Sequence, residues 1–232
     1  WPCASGLARF RSGRQRVPTW FFEDELRLPR FDRREQAQIG ATLKSIDSAI
    51  ERTEDVIAAT EKVRKALLQD LLTRGVPGWH SEWKTVPGIG TIPACWDVVK
   101  LGEVLERIDA GRSPNCQNRP AVDGEWGVLK VSAVSWTDFL PGENKALPEG
   151  VTPDSRMEVQ LGDVIVSRAN TPGLVGRSVY VRATRPRLLL CDKTLRLVPS
   201  VGQLEAQFLN YLLTGEYVRA QIESAATGTS TR

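Results

Sequence analysis

The chain of 232 residues carries 31 lysines and arginines against 28 acidic residues, with one histidine and four cysteines, and is long enough for a medium domain plus an extended element. Its longest apolar runs, such as Leu188 to Cys191, are far too short to span a bilayer, and no charged-then-apolar leader opens it. A cytoplasmic protein is expected, and the scattered Cys3, Cys95, Cys116 and Cys191 with the lone His80 exclude the spacing of a structural zinc site.

Residues 1 to 34 hold eight arginines against four acids, and Arg9, Arg11, Arg14 and Arg16 follow no helical or strand period. Because Met157 is the sole methionine, the chain reads as a processed or truncated piece, with residues 1–31 as the tail or terminal strand of a preceding domain. Leu26 to Phe31 is expected to be extended, since Pro29 keeps its predecessor out of the helical region.

From Asp32 to Gly75 the pattern changes. Ile39, Leu43, Ile46, Ile50, Ile57, Leu67 and Leu71 fall on three- and four-residue steps, the seam of a helix built to lie against another helix. Asp32 with Glu35 forms a capping box, and Gly75 followed by Pro77 is a stop signal. Such a helix would be roughly 60 Å long, the length of a spacer rather than of an ordinary globular helix. Thr53, Thr60 and Arg64 put polar groups on the seam, which lowers stability while fixing register or partner.

Residues 76–93, rich in Gly, Pro and Trp, read as a turn-rich linker. Trp79, Trp83 and Trp96 are placed to bury one end of the helix, with base stacking as the alternative use. Residues 94–232 read as a mixed-sheet α+β domain. Its expected strands are Gly127 to Val134, the LGDVIVSR run from Leu161 to Arg168, Val179 to Val181 and Leu188 to Val198. An amphipathic helix follows from Leu204 to Gln221, with Phe208, Leu209, Leu212 and Leu213 on its apolar face, and Thr227 to Arg232 is a loop. Within this electrically neutral part, residues 168 to 196 carry seven basic side chains and only Asp192 as an acid. A patch of that sign is placed for an anionic partner, of which a phosphate backbone is the commonest.

The passage LRLPRFDRREQAQIGATLKSIDSAIERTEDVIAATEKVRKALLQDLLTRG resembles the junction and spacer helix of the DNA specificity subunit of type I restriction-modification systems. The likeness rests on the Leu-Pro junction, Glu35 and Gln36, the Ile46, Asp47 and Ile50 core, and the ending Leu67, Leu68, Leu71, Leu72 and Gly75. Beyond the linker, IPACWDVVKLGEVLERIDAG resembles the opening of a target-recognition domain in that family, carried by Ile92, Pro93, Trp96, Leu101, Gly102 and Val104. The resemblance implies a mixed-sheet target-recognition domain attached to a coiled-coil-type spacer helix, C-terminally incomplete after the Gly-Thr-Ser-Thr loop. It further implies a non-catalytic subunit that reads a bipartite DNA site and positions methyltransferase and restriction subunits. A chain with one recognition domain and one helix would close a homodimer through the seam. The alternative from another class is a coiled-coil scaffold whose β-rich head binds an acidic protein.

No reaction centre competes with this reading. A methyltransferase needs a glycine-bearing cofactor loop and an Asn/Asp-Pro-Pro-aromatic motif, and the prolines here never occur in pairs, so no cofactor is expected. No carboxylate cluster followed by Lys sits on a strand as a metal nuclease requires, and the Gly88-Ile89-Gly90 step is too short to cradle phosphate. The residues expected to meet DNA lie on four loops. Arg168, Asn170 and Thr171 stand at a strand end, where Arg suits guanine and Asn suits adenine in the major groove. Arg177, Arg182, Arg185, Arg187, Lys193 and Arg196 suit phosphates. Arg112, Ser113 and Asn115 form a second loop, Lys130 and Ser132 a third, and Thr229, Ser230, Thr231 and Arg232 a fourth.

Overall fold

A computed structural model describes residues 16–135, 137–169 and 174–226. The chain divides into two compact units, Trp1–Ala59 and Thr60–Arg232. In the first, Phe21–Glu25 makes one π-type turn, closed by the Leu26 N–H donating to the Phe21 carbonyl at 2.7 Å. Residues 26–32 belong to no helix or strand, with Leu26 in an extended conformation, and the first strand among the described residues begins at Trp83.

Helix α1 (Arg33–Arg74) starts where the side chain of Asp32 accepts the N–H groups of Arg34 and Glu35, at 2.8 and 2.9 Å. The returning arm of the cap comes from Gln36 rather than Glu35: its amide donates to the Phe31 carbonyl at 2.8 Å. The seam residues Ile39, Leu43, Ile46, Ile50 and Ile57 are all exposed, and Thr53 satisfies its hydroxyl within the helix by donating to the Ala49 carbonyl.

The second unit takes over the helix at Thr60. Here Leu67 and Leu71 remain exposed while Leu72 is buried, so one helix carries an unfilled seam and a separate inward contact. At its end Gly75 is left-handed (φ 73°) and donates to the Leu71 carbonyl at 3.0 Å. A Cβ there would stand 2.7 Å from His80 Nε2, so glycine is needed for conformation and for room. His80 packs edge-on to Trp96 at 5.7 Å, with Cys95 Sγ 3.6 Å from its Nδ1. Of the three tryptophans expected at the helix end only Trp96 is half-buried; Trp79 and Trp83 are exposed. The linker holds a small antiparallel hairpin of β1 (Trp83–Val86) and β2 (Gly90–Pro93).

After β3 (Leu105–Ala110), the short β4 (Gly127–Leu129) and β5 (Asn144–Ala146) precede β6 (Val164–Ser167) and β7 (Ser178–Tyr180). Next come β8 (Leu188–Leu189), β9 (Thr194–Pro199), α2 (Ala206–Thr214) and α3 (Glu216–Ala226). One antiparallel sheet runs β3-β9-β6-β7; a second, mixed sheet runs β5-β4-β8, where β4 pairs β8 in parallel. Central strand β6 explains its own composition. Val164 and Val166 pack with Leu197, Leu209 and Leu213, whereas Ile165 joins Leu129, Val179 and Leu188 in a separate cluster. Both faces are therefore covered, and the strand reads as a continuous aliphatic run rather than an alternating one.

Three expected boundaries shift. The strand from Gly127 stops at Leu129 and passes into a 3-10 turn, Val131–Ala133. The run 188–198 splits into β8 and β9 around a turn at Cys191, where Thr194 Oγ1 accepts the Cys191 N–H and donates back to its carbonyl, both at 3.2 Å. The helix 204–221 breaks at Gly215, which turns extended (ψ 145°); a Cβ there would meet Leu72 Cδ1 at 3.0 Å. Gly215 thus caps α2 where there is little room for a side chain. The expected apolar face holds for the buried Leu209 and Leu213, while Phe208 is largely exposed.

Candidate nucleic-acid interface

The loop after β3 is aimed by a backbone-on-backbone contact. A Cβ on Gly111 would lie 1.9 Å from the Leu190 carbonyl oxygen, so only glycine lets the chain leave β3 against the end of β8. Arg112, Ser113 and Asn115 follow, all exposed. Ser113 Oγ donates to the Asp192 carboxylate, and the Asp192 N–H donates back to Ser113 Oγ at 3.3 Å. Arg168, exposed at the end of β6, donates from Nε to the Asp192 carbonyl at 2.7 Å, and its backbone N–H bonds the Lys193 carbonyl at 3.0 Å.

Three loops that are far apart in sequence therefore meet, and a fourth element joins them. Ser113, Asn115, Lys130, Lys145, Asp192 and Lys193 line one groove of about 340 Å³. Lys145 escaped sequence reading because it sits in the middle of the three-residue strand β5, opposite Val128, where no local motif marks it. On the same side Ser132 Oγ donates to Glu143 at 2.6 Å, and Lys130 Nζ lies 3.6 Å from the same carboxylate. The Ser132 hydroxyl first, and the Lys130 ammonium second, hold the Glu143 carboxyl below its ordinary range. Burial pushes the Cys116 thiol up, while neighbouring Lys145 pulls it the other way.

The remaining candidates lie elsewhere. Arg182 is exposed on a pocket lined by Glu61, Leu68, Leu72, Phe208 and Tyr211, away from the lysine groove. Arg177 is half-buried, and its backbone N–H donates to Ser167 Oγ at 3.1 Å. Arg185 and Arg187 fasten the loop before β4: Arg185 donates to the Glu125 and Ala121 carbonyls, and Arg187 to the Gly124 carbonyl. Arg196 requires a correction as a phosphate contact. Its side chain is 7% exposed and clamped by Asp109 at 2.7 Å and Asp163 at 3.2 Å, a buried cation that neutralises two carboxylates. Asn170, Thr171, Thr229, Ser230, Thr231 and Arg232 lie outside the described residues.

Among the described residues no group of His, Cys, Asp and Glu could hold a metal ion. The groove's polar lining is mostly of donors, the ammonium groups of Lys130, Lys145 and Lys193 and the amide of Asn115, with the Asp192 carboxylate among them. Such a set can hold an anion. The architecture is thus an α+β head presenting a basic, loop-built face, joined to a helix with an open apolar seam.

The chain is related in sequence to the specificity subunits of type I restriction enzymes. It is 33% identical over 138 residues to the type I restriction enzyme EcoEI specificity subunit of Escherichia coli, covering 59% of this chain and 23% of that one. It is 27% identical over 216 residues to the MjaVIII specificity subunit of Methanocaldococcus jannaschii, covering 89% of this chain. The chain spans 48% of that second relative and less of the first. No family model matches. Among solved structures, the HsdS subunit from Thermoanaerobacter tengcongensis is 20% identical with a TM-score of 0.43, over 84% of this chain and 44% of that one. A chain from a structure of type I R-M complex assembly is likewise 20% identical, with a TM-score of 0.44, over 82% of this chain and 42% of its own length.

Proposed function

We propose that this chain is a DNA-recognition component of a type I restriction-modification complex, reading one part of a bipartite site and carrying out no chemistry itself. The sequence relationship to two specificity subunits carries the reading, and the groove lined by Lys130, Lys145 and Lys193 fits it. The loops of the second unit meet duplex DNA, with Arg168 and the neighbouring Asn170 as base readers. The helix seam of exposed Ile39, Leu43, Ile46, Ile50, Ile57, Leu67 and Leu71 receives another helix, from a second copy or a longer relative, and methyltransferase and restriction subunits assemble around it. No described helix is long and apolar enough to cross a membrane.

The decisive experiment is methylome sequencing of cells carrying and lacking the chain together with its methyltransferase partner. A methylated motif that appears only with the chain, and shifts when Arg168 and Asn170 are replaced, is the expected result. A methylome indifferent to the chain overturns the reading.

A further inference from the structure

Segment 168–196 holds seven basic residues, and its single acid, Asp192, sits at the tip of the β8–β9 turn. On a face that attracts a polyanion a carboxylate opposes binding, so its presence there calls for a use. Its bonds supply one. The carboxylate accepts from Ser113 Oγ, the backbone N–H donates to the same hydroxyl at 3.3 Å, and the backbone carbonyl accepts Arg168 Nε at 2.7 Å. Ser113 is 79 residues from Asp192 in sequence, and Arg168 is 24. One residue therefore joins the exit of β3, the exit of β6 and the β8–β9 turn, the loops that carry Ser113 and Asn115, Arg168, and Lys193.

We infer that Asp192 is a positioning residue for sequence discrimination: it latches the Ser113 loop to the Arg168 strand end, and it sets the register between them without itself binding DNA. The inference rests on the DNA-recognition reading and deepens it. Two effects of the carboxylate then have opposite signs. Its charge repels phosphate, lowering affinity for any duplex, whereas its bond to Ser113 orders side chains and raises preference for one sequence.

The test uses the full chain assembled with its methyltransferase partner subunits and a pool of duplexes carrying randomised positions, with the bound fraction sequenced. Asp192→Ala and Ser113→Ala break the same latch from opposite sides, and only the first removes a charge. Both should lower discrimination by about tenfold, the scale of one well-made base contact. Binding to unselected duplex should tighten for D192A and stay level for S113A. The double variant should discriminate no worse than S113A, which already loses both bonds between the two residues. If both variants keep the wild-type motif, or if D192A loses it while S113A does not, the latch is refuted. Additive losses in the double variant refute it too. If the wild-type complex enriches no motif at all, the recognition reading itself falls, an outcome distinct from the others.

Discussion

Arg196 and Arg168 lie close together in the four-stranded sheet and have opposite surroundings. Arg168 ends β6 in the open; Arg196 lies inside β9, held by Asp109 and Asp163 and by the carbonyls of Arg156 and Glu158. Removing one member of a buried ion cluster leaves the others charged and unpaired. Arg196→Ala is therefore expected to destabilise the fold by ~3–5 kcal/mol, seen as a lower urea midpoint, whereas Lys145→Ala should leave the midpoint nearly unchanged. No reading of the sequence alone separates these two cations, because the partner Asp109 is 87 residues away and the strand's neighbours decide which face it shows. Glu125 gives a second residue-scale expectation. Hydrogen bonds from Arg119 and then from the Val122 N–H bring its carboxyl down to about 2. The folded state thus binds this proton more weakly than the unfolded chain, so the contribution is present above the ordinary carboxylate range near ~4.3 and is lost as pH falls through about 2. Glu125→Gln should flatten the acid-side decline in urea midpoint over that window; an unchanged decline would show that the bonds to Glu125 add nothing to the folded state.

Elements whose ends are written in adjacent residues were legible in the sequence. Asp32 and Gly75 bound the long helix because a side-chain acceptor and a left-handed glycine act on their own neighbours. Breaks inside longer apolar runs were not: Gly215 stands against Leu72 of α1, a neighbour remote in sequence, and β4 gives way to a 3-10 turn at Val131 inside a run that reads as strand throughout. The same contrast supports a prediction at the helix end. Gly75→Ala meets two penalties, a left-handed backbone worth roughly 1–2 kcal/mol and a Cβ against His80 Nε2. The second obstacle is a side chain, so it can be removed. Thermal unfolding should show G75A destabilised, and G75A in the background of His80→Ala should lose less than it does alone. If His80→Ala relieves nothing, the clash is not a source of the cost.

For the whole molecule, the near-balance of charge, +3 in 232 residues, conceals where the cations are. Sequence reading located the basic segment but spread its arginines over one imagined surface; folding turns Arg196 inward, sets Arg185 and Arg187 on a loop, and adds Lys145 from a distant strand to the groove. Around the assembled loops stand Arg112, Lys145, Arg168 and Lys193, with Lys130 paired to Glu143, and under the proposed reading each of the first four displaces a counterion from a duplex. At about 0.9 per phosphate neutralised, four such contacts give a slope of log affinity against log salt of about −3.6, steep enough to follow by filter binding between roughly 50 and 200 mM salt. Lys145→Ala should reduce that slope by about 1 and weaken binding to every sequence alike, the mark of a phosphate contact. Arg182→Ala should leave it unchanged, since that side chain opens on a different pocket. A loss for R182A with none for K145A would mean that the duplex follows the basic segment 168–196 rather than the groove that folding assembles.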